Sequence, residues 1–234
     1  MQIIPSPYDD IIANDNHWFE TKLVISGVTY GEDVLFNVTT IHNVFNKQTP
    51  VVGCAVAGEI DATMISPTVS IPKMAMLQPY VRATDGEQYS EWIPKGTYYI
   101  DTREITHNSN GLDVLTIHGY DSMLKLEKDY PSDSSHNYPI LDYEMVEHLA
   151  VSIGIVIDTR TYERMDKGYR FPLPLGYSGR EMLGFIAASY AGNFAITDEN
   201  KLLLIRLQDL PPETNYLITE SGDAIVFGGD RIKV

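Results

Sequence analysis

Two glycine-containing turn dipeptides, Asp85-Gly86 and Asn110-Gly111, cut a stretch of apolar, β-branched sequence into pieces of strand length. Asp-Gly and Asn-Gly supply the positive φ that tight hairpin turns need, so each dipeptide predicts an antiparallel return of the chain. The flanking segments fit. Residues 34–44 are rich in Val, Ile, Phe and Thr, and Glu59-Ile60-Asp61-Ala62-Thr63-Met64-Ile65 alternates polar and apolar, the period of a half-buried strand. Residues 74–84 and 92–105 are apolar with alternating stretches. The second of these opens with Pro94 and Gly96 and carries Tyr98 and Tyr99, and 112–118 is the return strand after the 108–111 turn. Short strands separated by turn signals predict an antiparallel β-barrel or sandwich over residues 1–125.

The pattern changes after Lys125. Residues 129–137 are a polar, turn-rich loop and mark the expected domain boundary. Beyond it Asp142 is placed to cap a helix. Met145, Val146, Leu149, Ala150 and Ile153 share one face, and Gly154 suits a left-handed stop. A short strand at 155–157 and a Pro-containing loop at 171–175 follow. Ser178-Gly179-Arg180-Glu181 has the capping-box spacing, and the helix behind it turns Met182, Leu183, Ile186, Ala187 and Tyr190 inward before Gly192 stops it. Residues 194–197 and 202–205 form a hairpin about Asp198-Glu199-Asn200. The expected class is therefore α+β. A barrel or sandwich over 1–125 precedes a smaller α+β unit, 126–205, with two helices and a hairpin. Residues 206–234 begin a further β segment that is expected to continue in the natural protein.

Composition restricts function. Of the 234 residues 44% are hydrophobic, enough for a packed core. Seventeen basic against 32 acidic residues give a net charge of -15, which disfavours generic binding to phosphate backbones and anionic lipid. No apolar run reaches the roughly 18–20 residues of a membrane span. The first 16 residues carry no basic region of a signal peptide. A soluble protein made in a reducing cytosol is expected. The single cysteine, Cys54, lies among small apolar residues and reads as a small buried hydrophobe. The six histidines, His17, His42, His107, His118, His136 and His148, include no pair at i, i+3 or i, i+4, so no local metal pair is written into the sequence. Gly176-Tyr177-Ser178-Gly179 shares only an outline with a nucleophile elbow, and capping explains Ser178 better. Asp101, Asp121 and Asp158 end or follow apolar strands. Such acids can pair for glycoside hydrolysis, but more commonly accept turn amides. No catalytic residue, metal or cofactor is expected. The 15 tyrosines, 7 phenylalanines and 2 tryptophans can cover a sheet, stack on sugars or fill a protein interface.

One stretch is more specific. Trp92-Ile93-Pro94-Lys95-Gly96-Thr97-Tyr98-Tyr99-Ile100-Asp101-Thr102-Arg103, a turn, and Leu115-Thr116-Ile117-His118-Gly119-Tyr120-Asp121-Ser122-Met123-Leu124-Lys125 together resemble the tail hub, or baseplate hub, proteins of long-tailed bacteriophages and of prophages in Gram-positive bacteria. In those a strand reading Gly, aromatic, aromatic, Ile, Asp pairs with one ending Gly-Tyr-Asp, any residue, Met. Tyr177 to Ala188 with Gly192-Asn193-Phe194 resembles their helix-then-hairpin module, so the likeness covers residues 55–205. The resemblance implies β-barrel domains beside an α+β domain, and assembly as a ring of three at the tip of the tail tube with two barrels per chain. This sequence shows one barrel candidate, and the second is absent or only begun after residue 206. A peptidoglycan-cleaving domain, present in some members, has no counterpart here.

On this reading the chain is a structural, non-enzymatic tail component. Its partners would be copies of itself and other tail or baseplate proteins, with DNA only in passage and no membrane. It would be assembled in the host bacterial cytoplasm and reside in the virion tail. Trp92, Tyr98, Tyr120 and Tyr190 are the interface candidates, with core packing the alternative for each. Of Tyr98 and Tyr99, one ring packs inward and the other outward. Acidic side chains facing a lumen repel phosphate at short range, and Asp85, Glu87 and Glu91 are the channel-facing candidates. Two other readings stay open: a carbohydrate-binding β module of a cell-surface protein, and a cell-wall glycan hydrolase using Asp101 or Asp158.

Overall fold

The computed structural model describes residues 7–45, 50–68, 70–107, 111–131 and 137–207, and the backbone of 226–227 and 230–231. His136, residues 108–110 of the second turn and most of 206–234 lie outside the described residues. The elements run α1 (Tyr8–Ile12), β1 (Trp18–Ile25), β2 (Val28–Tyr30), β3 (Leu35–Ile41), β4 (Cys54–Ala55), β5 (Glu59–Ile65), β6 (Met76–Thr84), β7 (Ile93–Pro94), β8 (Tyr98–His107), β9 (Asp113–Asp121), a 3-10 helix (Ser122–Glu127), β10 (Ile140–Leu141), α2 (Asp142–Ile153), β11 (Val156–Ile157), α3 (Thr159–Arg164), β12 (Arg170–Phe171), α4 (Gly179–Ser189), β13 (Gly192–Ile196) and β14 (Lys201–Arg206). Val226–Phe227 pairs with Asp230–Arg231.

The class is α+β, organised on an eight-stranded antiparallel sheet of order β2-β1-β6-β8-β9-β5-β3, with β7 on β6. The sheet curls until β1 and β3 touch, yet they do not hydrogen-bond. Of the barrel and sandwich expectations, the sandwich-like form is the one adopted. A barrel would need a ladder between the two ends of the order, and among the described residues β2, three residues long, pairs only with β1. Alternation does what the sequence predicts. In β5, Ile60, Ala62 and Met64 point inward, to meet Leu23, Leu77, Tyr98, Leu115 and Ile117 in one buried cluster.

The second cluster forms around α2, α4 and the β13–β14 hairpin. It holds Met145, Val146, Leu149, Met182, Leu183, Ile186, Phe194, Leu202 and Leu204. Gly154 ends α2 at φ 73, the left-handed conformation expected of it. Asp142 is not the cap. Leu141 holds that position, its amide donating to Glu144 at 2.8 Å, while Asp142 lies in the first turn and is fully buried. Nor does Gly192 stop α4, which ends at Ser189; Gly192 opens β13.

The two clusters are joined twice. Between β3 and β5, the described residues 50–57 reach the sheet of β13 and β14 and lead back to β5. There β4 pairs in parallel with β13, Asn193 opposite Cys54 and Phe194 opposite Ala55. Ala55 and Ala57 therefore belong to the second cluster. The other crossing is the 3-10 helix after β9, whose Met123 and Leu126 are buried in that same cluster.

Candidate functional site

The residues of the resembling motif meet at this junction. Gly96, at φ 106, carries the ring of Tyr98 over it; a Cβ there would lie 2.8 Å from that ring. The Tyr98 hydroxyl donates to the Lys95 carbonyl at 3.0 Å and shares a hydrogen bond of 2.7 Å with His42 Nε2. His42 in turn sits 3.2 Å from Asp198, at the β13–β14 turn. Gly119 passes under Tyr99 where the β8–β9 register shifts between Ile100 and Thr102; a Cβ on it would stand 2.5 Å from the Tyr99 carbonyl. Asp121 accepts the Gly58 amide at 2.7 Å and the Met123 amide at 2.9 Å. These are the turn-amide contacts expected of a strand-end acid, and here they span both crossings.

On the far side Asn193 fastens the 42–57 segment. Its Oδ1 accepts from Cys54 N–H at 2.9 Å, and its amide donates to the carbonyls of Val44 and Val51 at 2.8 Å each. Asn193 stands in the Gly192-Asn193-Phe194 motif, whose resemblance does not assign it this role. The available signal was a polar amide between Gly192 and Phe194 at the start of an apolar strand. Cys54 is not fully buried, and it lines an open groove with Phe185 and Arg180.

Two of the four interface candidates are interior. Tyr98 is wholly buried, folded onto Gly96. Tyr190 packs behind α4, its hydroxyl bonded to the buried Asp142, which raises its pKa together with the larger effect of desolvation. For these two the core-packing alternative is the one that the fold adopts. Tyr99 is the half-exposed member of the Tyr98-Tyr99 pair, with the Lys125 ammonium 3.8 Å from its ring centre. Tyr120 is half-buried against His118, with ring centres 4.8 Å apart. It lines a cavity of about 300 Å³ with Phe45, Val56, Glu59 and Arg180.

Trp92 is also half-buried and belongs to a cross-strand ladder on the outer face of β1 and β6. Lys22 lies 4.2 Å from its ring and 4.9 Å from that of Tyr80; Arg82 lies 4.5 Å from Trp92 and 4.3 Å from Tyr89, and is bonded to Glu20 at 2.6–2.8 Å. The register builds this, setting Glu20 opposite Arg82 and Lys22 opposite Tyr80. Desolvation, then the neighbouring Arg82, lowers the Lys22 pKa. Each of these rings already has a cation over it, so a sugar stacking on that side must displace a cation–π contact.

The acidic candidates cluster at the β6–β7 turn. Asp85 accepts the amides of Gln88 at 2.8 Å and Glu87 at 3.0 Å, bonds that hold its carboxyl below the usual range; Glu87 and Glu91 are exposed. The hydrolase candidates lie on different elements, a strand and a helix start. Asp101 is exposed at the β8 register shift. Asp158 caps α3, accepting the Arg160 amide at 3.0 Å and two guanidinium bonds of 2.8 Å. Those Arg160 bonds hold its carboxyl down to about 2, too low for the general acid of glycoside hydrolysis. Among the described residues no group of three or more His, Cys, Asp or Glu is placed to hold a metal ion. No described helix is long and apolar enough to cross a membrane.

No protein-family model matches the chain, and no curated protein does. Solved structures do. The 43 kDa tail protein of prophage MuSo2 from Shewanella oneidensis superposes with a TM-score of 0.58 at 14% identity, over 87% of this chain and 58% of its own. The tail protein from Neisseria meningitidis MC58 gives a TM-score of 0.51 at 11% identity, over 80% of this chain and 51% of its own. The chain thus spans little more than half the length of either, and what it shares with both is the fold.

Proposed function

We propose that this chain is a structural component of a bacteriophage or prophage tail. The observation that carries the reading is the fold likeness to two tail proteins, one over 87% of the chain and the other over 80%. The architectural part played by Gly96, Tyr98, Gly119 and Asp121 supports it, since the motif resembling tail hubs is the one that joins the two cores.

More finely, the chain is a hub or baseplate subunit that forms a ring at the end of the tail tube, contacts copies of itself and other tail proteins, and lines part of the DNA-ejection conduit. It binds no cofactor and turns over no substrate. Trp92 and Tyr120, both half-buried, are the aromatics for those contacts, and the acidic turn of Asp85, Glu87 and Glu91 faces the passage. Immunogold electron microscopy of purified particles, with antibody raised against this chain, tests the reading. Gold confined to the tail tip is the expected result. Gold along the whole tube keeps the tail role and removes the hub, and unlabelled tails overturn both.

A further inference from the structure

The β13–β14 hairpin has two faces. Phe194, Leu202 and Leu204 meet α4 in the second core. Ala195, Leu203 and Ile205 alternate with them, and among the described residues they wall a cavity of about 240 Å³ with Val44 and Val56. His42 and Asp198, 3.2 Å apart, stand beside them. Val44 is exposed, so the cavity opens to solvent. Its volume falls below the roughly 300–1,000 Å³ of drug-sized ligand pockets and suits a single aliphatic side chain.

The chain also presents a side chain of that kind. Leu175 is 73% exposed in the loop between β12 and α4. The loop is held at both ends, by the pairing of Phe171 with Ile140 and by the Tyr130 amide, which donates to the Tyr177 carbonyl at 2.8 Å. Pro172 and Pro174 fix two of its φ angles and Gly176 turns at φ 77, so Leu175 has little conformational entropy left to lose. Leu173, Tyr177 and Phe185 are exposed as well, the last two rings meeting edge to face at 5.2 Å. Val151 and Val156 are similarly exposed, but Val151 stands among Glu144, Glu147 and His148, and Val156 lies opposite Lys201.

We propose that Leu175 of one copy of this chain seats in the hairpin cavity of a second copy. One chain carries both halves of the contact, an apolar side chain on a braced loop and an apolar cavity of its size. Leu175 stands before the start of α4, which covers one face of the hairpin, and the cavity is on the other face. The contact therefore joins unlike surfaces and repeats head to tail. It does not rest on the tail reading, and unlabelled tails would leave it standing. Charge gives it a signature. Copies of net charge -15 repel, so an apolar contact between them tightens as salt screens the repulsion.

The test is sedimentation equilibrium of the full chain up to about 1 mM, in dilute buffer and in about 0.5 M salt. Reversible association, tighter in salt, is expected, with methyl resonances of Leu175, Leu203 and Ile205 shifting together as concentration rises. Leu175→Ser should weaken association at least about tenfold, and Val151→Ser should leave it unchanged. In a Cys54→Ser background, an equimolar mixture of Leu175→Cys and Val44→Cys chains should form a disulfide between unlike copies under mild oxidation. A monomer throughout overturns the proposal, as does association that weakens with salt. So does a Leu175→Ser chain that associates as the wild type does, an equal loss in Val151→Ser, or a crosslink of Leu175→Cys only to its own kind. Should a variant fail to fold, sedimentation and methyl shifts of the unaltered chain still decide.

Discussion

Asn193 makes three hydrogen bonds from a side chain that is 2% exposed, all to the backbone of one crossing segment. Truncating it removes the partner of one amide and two carbonyls and empties a buried polar position. Asn193→Ala should therefore lower stability by about 2–4 kcal/mol, read from the urea midpoint at unchanged slope. A loss under about 1 kcal/mol would mean that β4 pairing alone holds the segment. Gly119 acts by absence. A methyl group there meets the Tyr99 carbonyl, which is backbone and cannot swing aside, so β8 and β9 would have to part where the register shifts. Gly119→Ala should cost at least about 3 kcal/mol, or leave the protein insoluble. Gly119 and Asp121 are two residues apart in the Gly-Tyr-Asp sequence, and each has its own packing reason for being there.

Among the elements, α4 is the one whose start was written most plainly. Ser178 accepts the Glu181 amide at 3.1 Å and Glu181 accepts the Ser178 amide at 2.7 Å, the reciprocal pair that the spacing predicts. Ser178→Ala should cost about 1 kcal/mol in thermal or urea unfolding. The shorter α3 depends on Asp158, whose carboxyl is depressed by Arg160. A group with a lowered folded pKa stabilises above its ordinary range, so this contribution is complete above about pH 4 and disappears as pH falls toward about 2. Melts from pH 6 to 2 should lose less in Asp158→Asn than in wild type. The strands with clean alternation, β5, β6 and β9, and the helices with a continuous apolar face, α2 and α4, were legible for that reason. Three features that were not legible show why. In β1 the apolar Trp18, Phe19 and Val24 sit on positions that are not buried, so the period is broken. In α3 only Thr161 is buried, and six residues carry no helical period. The pairing of β4 with β13 joins residues 139 apart and leaves no local trace. The same cause hid the junction. His42, Asp198 and Asn193 are brought together by long-range pairing, whereas the Gly-aromatic-aromatic and Gly-Tyr-Asp strands that flank them could be read directly.

At the scale of the whole molecule, two cores share one chain and are joined at two places, and 15 surplus negative charges cover them. On the proposed reading some of that charge keeps DNA from adhering to the passage, and the β6–β7 turn is where it can be removed without disturbing either core. Glu87 and Glu91 are exposed, and an asparagine at position 85 keeps the oxygen that accepts the Glu87 and Gln88 amides. The variant Asp85→Asn, Glu87→Gln, Glu91→Gln takes the net charge from -15 to -12 (three acids neutralised) and should leave stability within about 0.5 kcal/mol of wild type. Repulsion of phosphate acts over about 8 Å at physiological salt and farther in dilute buffer, so tails assembled with the variant should release DNA more slowly, and the difference should widen as salt is lowered. Equal release rates at low salt would show that this turn does not face the DNA. A salt-independent slowing would point to altered subunit contacts instead, because loss of a charge effect must follow the screening length.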